Sequence, residues 1–143
     1  MTIVYIVVTI IALIILYLLS CYNSFVKLNN QVKEAFSTMD VYLKKRWDLI
    51  PNIVEVVKGY AKHEKDTLKE IVNLRNVSYD QMNDSTKVDV NNKISQELGK
   101  IMVIAENYPE LKANDNFKDL SKQLLKVEDD IANARKYYNG AVR

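Results

Sequence analysis

The sequence predicts an all-α protein, in which an N-terminal transmembrane helix precedes an antiparallel helical bundle of about four long helices. Three observations predict it. Residues 3–19 carry no charge, and the first charged side chain is Lys27. Beyond that point apolar residues recur at steps of three and four almost to Arg143, the spacing of one helix face. The three glycines and two prolines mostly mark interruptions of that pattern. The chain divides accordingly into an anchor and flank, residues 1–26, and a helical domain, residues 27–143.

The anchor runs from Ile3 to Leu19, and thirteen of its seventeen residues are Ile, Val or Leu. At ~0.3–0.6 kcal/mol for each such residue near a bilayer centre, the run favours lipid by several kcal/mol. Its length of about 26 Å, extended by uncharged flanks as far as Val26, matches a hydrocarbon layer of about 30 Å. Tyr5 at one end, and Tyr17 and Tyr22 at the other, suit the interfacial aromatic belts. A buried strand is the competing reading of so many β-branched residues, and length argues against it. Leu18-Leu19-Ser20-Cys21 resembles a lipobox, which gives an alternative in which a lipoprotein is anchored at Cys21. A secretory signal, however, calls for a basic n-region, and Met1-Thr2 supplies none. Lys27 and Lys33 follow the span, and Lys44, Lys45 and Arg46 lie further on. The positive-inside rule therefore puts the N-terminus outside and the C-terminal domain in the cytoplasm.

Within the domain, Leu28, Val32, Ala35, Met39, Leu43 and Trp47 form the first stripe, on a helix that extends the anchor. Pro51 suits the first turn of a new helix and disfavours helical geometry at Ile50, which predicts a kink or tight turn there. A second long helix follows through Ile53, Val54, Val57, Ala61, Leu68, Ile71 and Val72 to Tyr79 and Met82. Asn83-Asp84-Ser85-Thr86 offers turn and cap chemistry, so a boundary falls in that region. Ile94, Leu98, Ile101, Ala105 and Tyr108 form the third stripe before Pro109 interrupts. Asn114-Asp115-Asn116 caps a last helix striped by Phe117, Leu120, Leu124, Val127, Ile131, Ala134, Tyr138 and Ala141. Several stripes are nearly heptad, and a long dimeric coiled coil is the alternative architecture.

Composition narrows the functional classes. The 20 basic and 18 acidic residues are mixed along the domain, without the concentrated basic surface of a nucleic-acid binder. The one cysteine excludes a disulfide framework or a thiolate metal site within the domain. His63 is the sole histidine. Tyr60 stands three residues before it, so the Glu-x-x-His pairs of a carboxylate-bridged di-metal bundle are missing. No glycine-flanked serine elbow or phosphate-cradling glycine loop occurs. No catalytic residue, cofactor or metal is assigned.

Glu64 and Arg75 lie close to the apolar stripe of the second helix, and burial there demands partners. The expectation is an ion pair across the bundle between Glu64 or Arg75 and an opposite charge such as Arg135, Glu128 or Asp40, fixing register. Lys44-Lys45-Arg46 reads as a solvated face. The nine tyrosines, including Tyr108, Tyr137 and Tyr138, read as the polar edges of a core, with a partner-binding surface as the alternative.

Several stretches also carry a family resemblance. Tyr22-Asn23, Gln31-Val32-Lys33-Glu34-Ala35-Phe36-Ser37-Thr38-Met39-Asp40-Val41 and Asp48-Leu49-Ile50-Pro51-Asn52 resemble the LemA family. So do Val57-Lys58-Gly59-Tyr60-Ala61-Lys62-His63-Glu64, Ala105-Glu106-Asn107-Tyr108-Pro109-Glu110-Leu111, and Glu128-Asp129-Asp130-Ile131-Ala132. The resemblance implies one membrane helix, an outside N-terminus and a cytoplasmic helical domain, and it implies no reaction. Relatives in magnetosome-forming bacteria suggest a role in organising membranes. Two departures stand out. Phe36 replaces a tryptophan common in the family, which changes packing volume. The family pattern also continues past the position of Arg143, which implies a shortened final helix.

The expected function is a non-enzymatic interaction or scaffold protein that contacts the lipid bilayer through residues 3–19 and works with an unknown protein partner or by self-association. The runner-up is a carboxylate- or metal-dependent enzyme with Glu64, Asp40 and Glu128 in an interhelical cleft. A membrane-remodelling role is a third reading.

Overall fold

A computed structural model describes residues 1–143, and every regular element in it is helical. Helix α1 spans Thr2–Tyr60, α2 Lys65–Asn73, α3 Asp84–Asn107, α4 Pro109–Ala113 and α5 Asp115–Val142, with a 3-10 turn at Tyr79–Gln81 between α2 and α3. The expected count of about four long helices becomes three long ones and two short ones.

Helix α1 is a single rod about 88 Å long. Its first 33 residues bury no side chain, and the apolar run at its N-terminal end has no packing partner in the chain. The predicted stripe is therefore covered only from Ala35 onward, and Leu28 stays 55% exposed. From there Met39, Leu43, Trp47, Ile50, Ile53, Val54 and Val57 are buried along one face.

That continuous face corrects the break expected at Pro51, which lies inside α1. An interior proline removes one backbone hydrogen bond and crowds the preceding turn, at a cost of ~3 kcal/mol. Pro51 is exposed, so its ring points away from the core, while Ile50 and Ile53 beside it are fully buried. At ~1.5–3 kcal/mol for each large apolar side chain buried, packing outweighs the local cost. Gly99 and Gly140 likewise lie inside helices rather than at interruptions.

The chain instead turns at residues 61–64, within the helix expected to run from residue 53 to Met82. Tyr60 ends α1, and Glu64 N–H donates to the Ala61 carbonyl to close the bend. The stripe survives because Ala61, Leu68, Ile71, Tyr79 and Met82 are all buried in the same core cluster. Sequence periodicity thus reports a shared core but not an unbroken helix. Asn83 caps α3, its side-chain oxygen accepting from Thr86 N–H at 2.8 Å, and Asn114 caps α5 by accepting from Phe117 N–H at 3.0 Å. Pro109 occupies the first turn of α4, where its missing N–H costs nothing.

Contacts between side chains give the directions of the long helices. Phe36 meets Tyr138, Arg46 meets Glu128 and Tyr60 meets Asn114, so α5 runs antiparallel to α1. Asp40 meets Lys87 and Arg46 meets Ser95, so α3 runs parallel to α1. Arg135 meets Asn92 and Ser121 meets Met102, which makes α5 antiparallel to α3. Helix α2 covers the end of this group remote from the apolar segment, where Glu70 pairs with Lys100.

Candidate functional site: an interhelical polar cluster

Arg46 is buried to 1% exposure, and it and Asn91 are the two buried polar side chains within a core of apolar and aromatic ones. It occupies the α1 stripe, three residues after Leu43 and four before Ile50, so helical geometry turns it inward. A buried guanidinium needs acceptors for its five N–H groups. Asn91 on α3 supplies two: its Oδ1 accepts from Nε at 3.1 Å and from Nη2 at 3.0 Å, and its backbone carbonyl accepts from Nη2 at 2.6 Å. Nη1 donates to Ser95 Oγ at 2.5 Å and to Glu128 on α5. Asn91 is itself fully buried and donates from Nδ2 to the Lys87 carbonyl at 3.0 Å. Burial lowers the Arg46 pKa, against the hydrogen bond and charge of Glu128, which raise it.

A second group lies about two turns toward the start of α1. Asp40 accepts from the Tyr79 hydroxyl at 2.6 Å and from Lys87 Nζ at 2.8 Å. The Tyr79 ring packs against Trp47, with centroids 5.5 Å apart, and Lys87 Nζ and Lys44 Nζ stand 4.9 and 5.2 Å from the Tyr79 centroid. Burial, reinforced by the hydrogen bond to Asp40 and its charge, holds the Tyr79 phenol far above its ordinary pKa. Both groups of contacts bind helices that are distant in sequence, and their polar atoms are committed to one another.

The five side chains singled out from the sequence are dispersed. Asp40 pairs with Lys87 and Glu128 pairs with Arg46, partners that sequence spacing did not point to. Glu64 and Arg75 meet none of the expected charges. The bend at residues 61–64 takes Glu64 out of the α1 stripe, and its carboxylate accepts from the Tyr108 hydroxyl at 3.4 Å. Arg75 lies past the end of α2, with its guanidinium 5.2 Å from the Trp47 ring centroid and its buried Nε without a hydrogen-bond partner. Arg135 is exposed and donates to Asn92 at 3.0 Å. Asp40, Glu64 and Glu128 therefore belong to three separate sets of contacts rather than one cleft. No group of three or more His, Cys, Asp or Glu side chains converges.

Arg46 corrects the reading of Lys44-Lys45-Arg46 as a solvated face. The missed signal was its place in the stripe, together with Asn91 one turn before Ile94 and Glu128 between Leu124 and Ile131.

A further charged group ties α2 to α3. Lys100 Nζ lies 2.8 Å from Glu97 and 2.9 Å from Glu70. The hydrogen bonds to Glu97 and Glu70 raise the Lys100 pKa, and the hydrogen bond from Lys100 lowers that of Glu70.

Comparison with known proteins places this arrangement in a family. The sequence pattern of the LemA family matches residues 35–143, which begin at the first buried side chain of α1. The chain is 25% identical over 118 residues to Protein LemA of Metamycoplasma hominis, covering 82% of this chain and 54% of that one. It is 23% identical over 150 residues to Magnetosome protein MamQ 2 of Paramagnetospirillum magneticum and to Magnetosome protein MamQ of Magnetospirillum gryphiswaldense, in each case covering 87% of this chain and 55% of the relative. The chain spans about half the length of these curated relatives. With a match over most of its length, including every residue of the polar cluster, the chain belongs to the LemA family.

Proposed function

We propose that this protein is a membrane-anchored, non-enzymatic interaction module: residues 3–19 cross the bilayer, and residues 27–143 form an antiparallel bundle that presents helical faces to a protein partner or to a second copy. The observation that carries the reading is the continuity of α1, one helix from the apolar segment through Arg46 to Tyr60. Such a rod holds the domain at a fixed distance from the lipid, and membrane restriction raises its effective concentration for other membrane-bound proteins. In this reading the polar cluster sets helix register and performs no reaction. The charge pattern after the span supports a cytoplasmic domain. The magnetosome names of two relatives suggest a setting for interaction with an organelle.

The test is crosslinking in intact cells with the anchor present, alongside an Ile11→Arg variant. A crosslinked species that depends on exposed helix residues and weakens when the variant leaves the membrane fraction supports the reading. Full recovery of the wild-type chain in the soluble fraction after gentle lysis overturns it. Orientation is read separately, from a Cys21→Ser, Lys136→Cys variant: labelling by an impermeant thiol reagent in intact cells would place the domain outside.

A further inference from the structure

The bend between α1 and α2 builds a feature that the polar cluster does not use. Val54 on α1 and Leu68 and Val72 on α2 line a hollow of about 380 Å³, together with Lys58, Lys65 and Lys69. A second hollow of about 560 Å³ shares Lys58, Lys65 and Leu68 and adds Lys62 and His63. The shared residues make the two hollows one trough, apolar toward α2 and cationic toward the bend.

The charge in this trough is unbalanced. Lys58, Lys62 and Lys65 have no carboxylate within 4.0 Å, and Lys69 approaches only Asp66, at 3.9 Å. Of the nearby acids, Glu64 accepts from Tyr108, Asp66 is fully exposed and reaches only Lys69, and Glu55 lines a different groove with Asn116 and Asp119. No acidic residue lines either hollow. Lysine stems extend an apolar wall while their ammonium groups stay at the rim, and four such groups around one concavity attract an anion. The volume is that of a small-molecule cleft, within the usual ~300–1,000 Å³.

We propose that this trough binds a small anionic amphiphile, a phosphate or carboxylate carried on a short hydrocarbon chain. The anion sits among Lys58, Lys62 and Lys65, and the chain lies over Val54, Leu68 and Val72. The ligand comes from solution rather than from the surrounding bilayer, because about 60 Å of helix separates Leu19 from Tyr60.

The experiment titrates the full chain, in phosphatidylcholine nanodiscs, with hexyl phosphate and with inorganic phosphate by calorimetry. Expected are one saturable site for hexyl phosphate, an affinity at least ~10-fold above that for inorganic phosphate, and a loss of ~10-fold or more in Lys58→Gln/Lys62→Gln/Lys65→Gln. These side chains are exposed, so circular dichroism and Tm should remain those of the wild type. Val72→Asn, at a half-exposed position, should narrow the gap between the two probes without abolishing binding of inorganic phosphate. Equal affinity for the two probes, no saturation, or binding unchanged in the triple lysine variant would overturn the proposal. Displacement of hexyl phosphate when phosphatidylglycerol is added to the disc would overturn the assignment to a soluble ligand.

Discussion

Arg46 and Asn91 form the most deeply buried polar contact between α1 and α3, with two guanidinium nitrogens on the amide oxygen and a third hydrogen bond to the Asn91 backbone carbonyl. Glu128 completes the set from α5 but keeps 39% of its side chain exposed. Removing the cation leaves Asn91 and Glu128 without their principal donor and opens a cavity, so Arg46→Ala should cost ~3–5 kcal/mol. Glu128→Gln leaves Asn91 and Ser95 in place, and solvent screens the lost charge, so it should cost about 1 kcal/mol. Urea unfolding of both single variants and the double variant measures the coupling. Equal costs for Arg46→Ala and Glu128→Gln would mean that Asn91 contributes nothing to holding the cation.

Tyr79 gives the fold an alkaline limit. Its phenol stays protonated in the folded chain well above the pH at which an unfolded tyrosine ionises, near 10. Above that pH the unfolded state releases a proton that the folded state retains. Stability is therefore complete below about pH 10 and falls as pH rises past it, by up to ~1.4 kcal/mol per pH unit. Tyr79→Phe loses the 2.6 Å bond to Asp40 and should cost ~1–2 kcal/mol at pH 7, yet its stability should fall less steeply between pH 10 and 11.5. Lys100, whose pKa is also raised, adds a decline of the same sign and remains in the variant. Urea midpoints at pH 8, 10, 11 and 11.5 check the slopes, and parallel curves for the two proteins would refute the assignment to Tyr79.

Arg75 and Glu64 should respond very differently to truncation, although sequence spacing sets both beside the same stripe. Arg75 covers the Trp47 ring, a cation–π contact in a partly desolvated place, so Arg75→Ala should cost ~1–2 kcal/mol. Arg75→Met keeps the packing and removes the buried, unpartnered Nε, so it should recover most of that loss. Glu64 makes only a 3.4 Å contact with Tyr108, and Glu64→Ala should change stability by less than ~0.5 kcal/mol. Thermal melts of the three variants decide the matter. A Glu64→Ala loss as large as that of Arg75→Ala would require a strong partner for the carboxylate.

The core was legible in the sequence because period and burial coincide. Ile94, Leu98, Ile101 and Ala105 on α3, and Leu124, Val127, Ile131 and Ala134 on α5, are buried at the positions their spacing predicts. Asn83 and Asn114 announced two helix starts because a short side-chain acceptor has a specific use there. The stripe could not locate the break, since Ala61 and Leu68 continue the same apolar face through a bend as readily as through a helix. The polar cluster was illegible for another reason: Arg46 stands in a run of three basic residues, and only its phase relative to Leu43 and Ile50 separates it from exposed Lys45. Charge type dominated a reading that phase should have decided.

Pro51 is where local propensity and tertiary packing conflict most directly, and substitution there can measure the difference. The proline is exposed, and the helix continues on both sides through Ile50 and Ile53. Pro51→Ala restores a backbone donor to the preceding turn and relieves the ring's crowding without touching the core. It should stabilise the domain by ~1–3 kcal/mol, offset in part by the greater freedom of the unfolded chain. Amide hydrogen exchange should slow at residues 48–55, around the restored bond. Pro51→Gly keeps the donor but adds backbone entropy, so it should recover ~1 kcal/mol less than alanine. If both substitutions lower the urea midpoint, the proline ring is making a contact that the fold requires, and α1 owes its continuity to that contact rather than to the buried stripe.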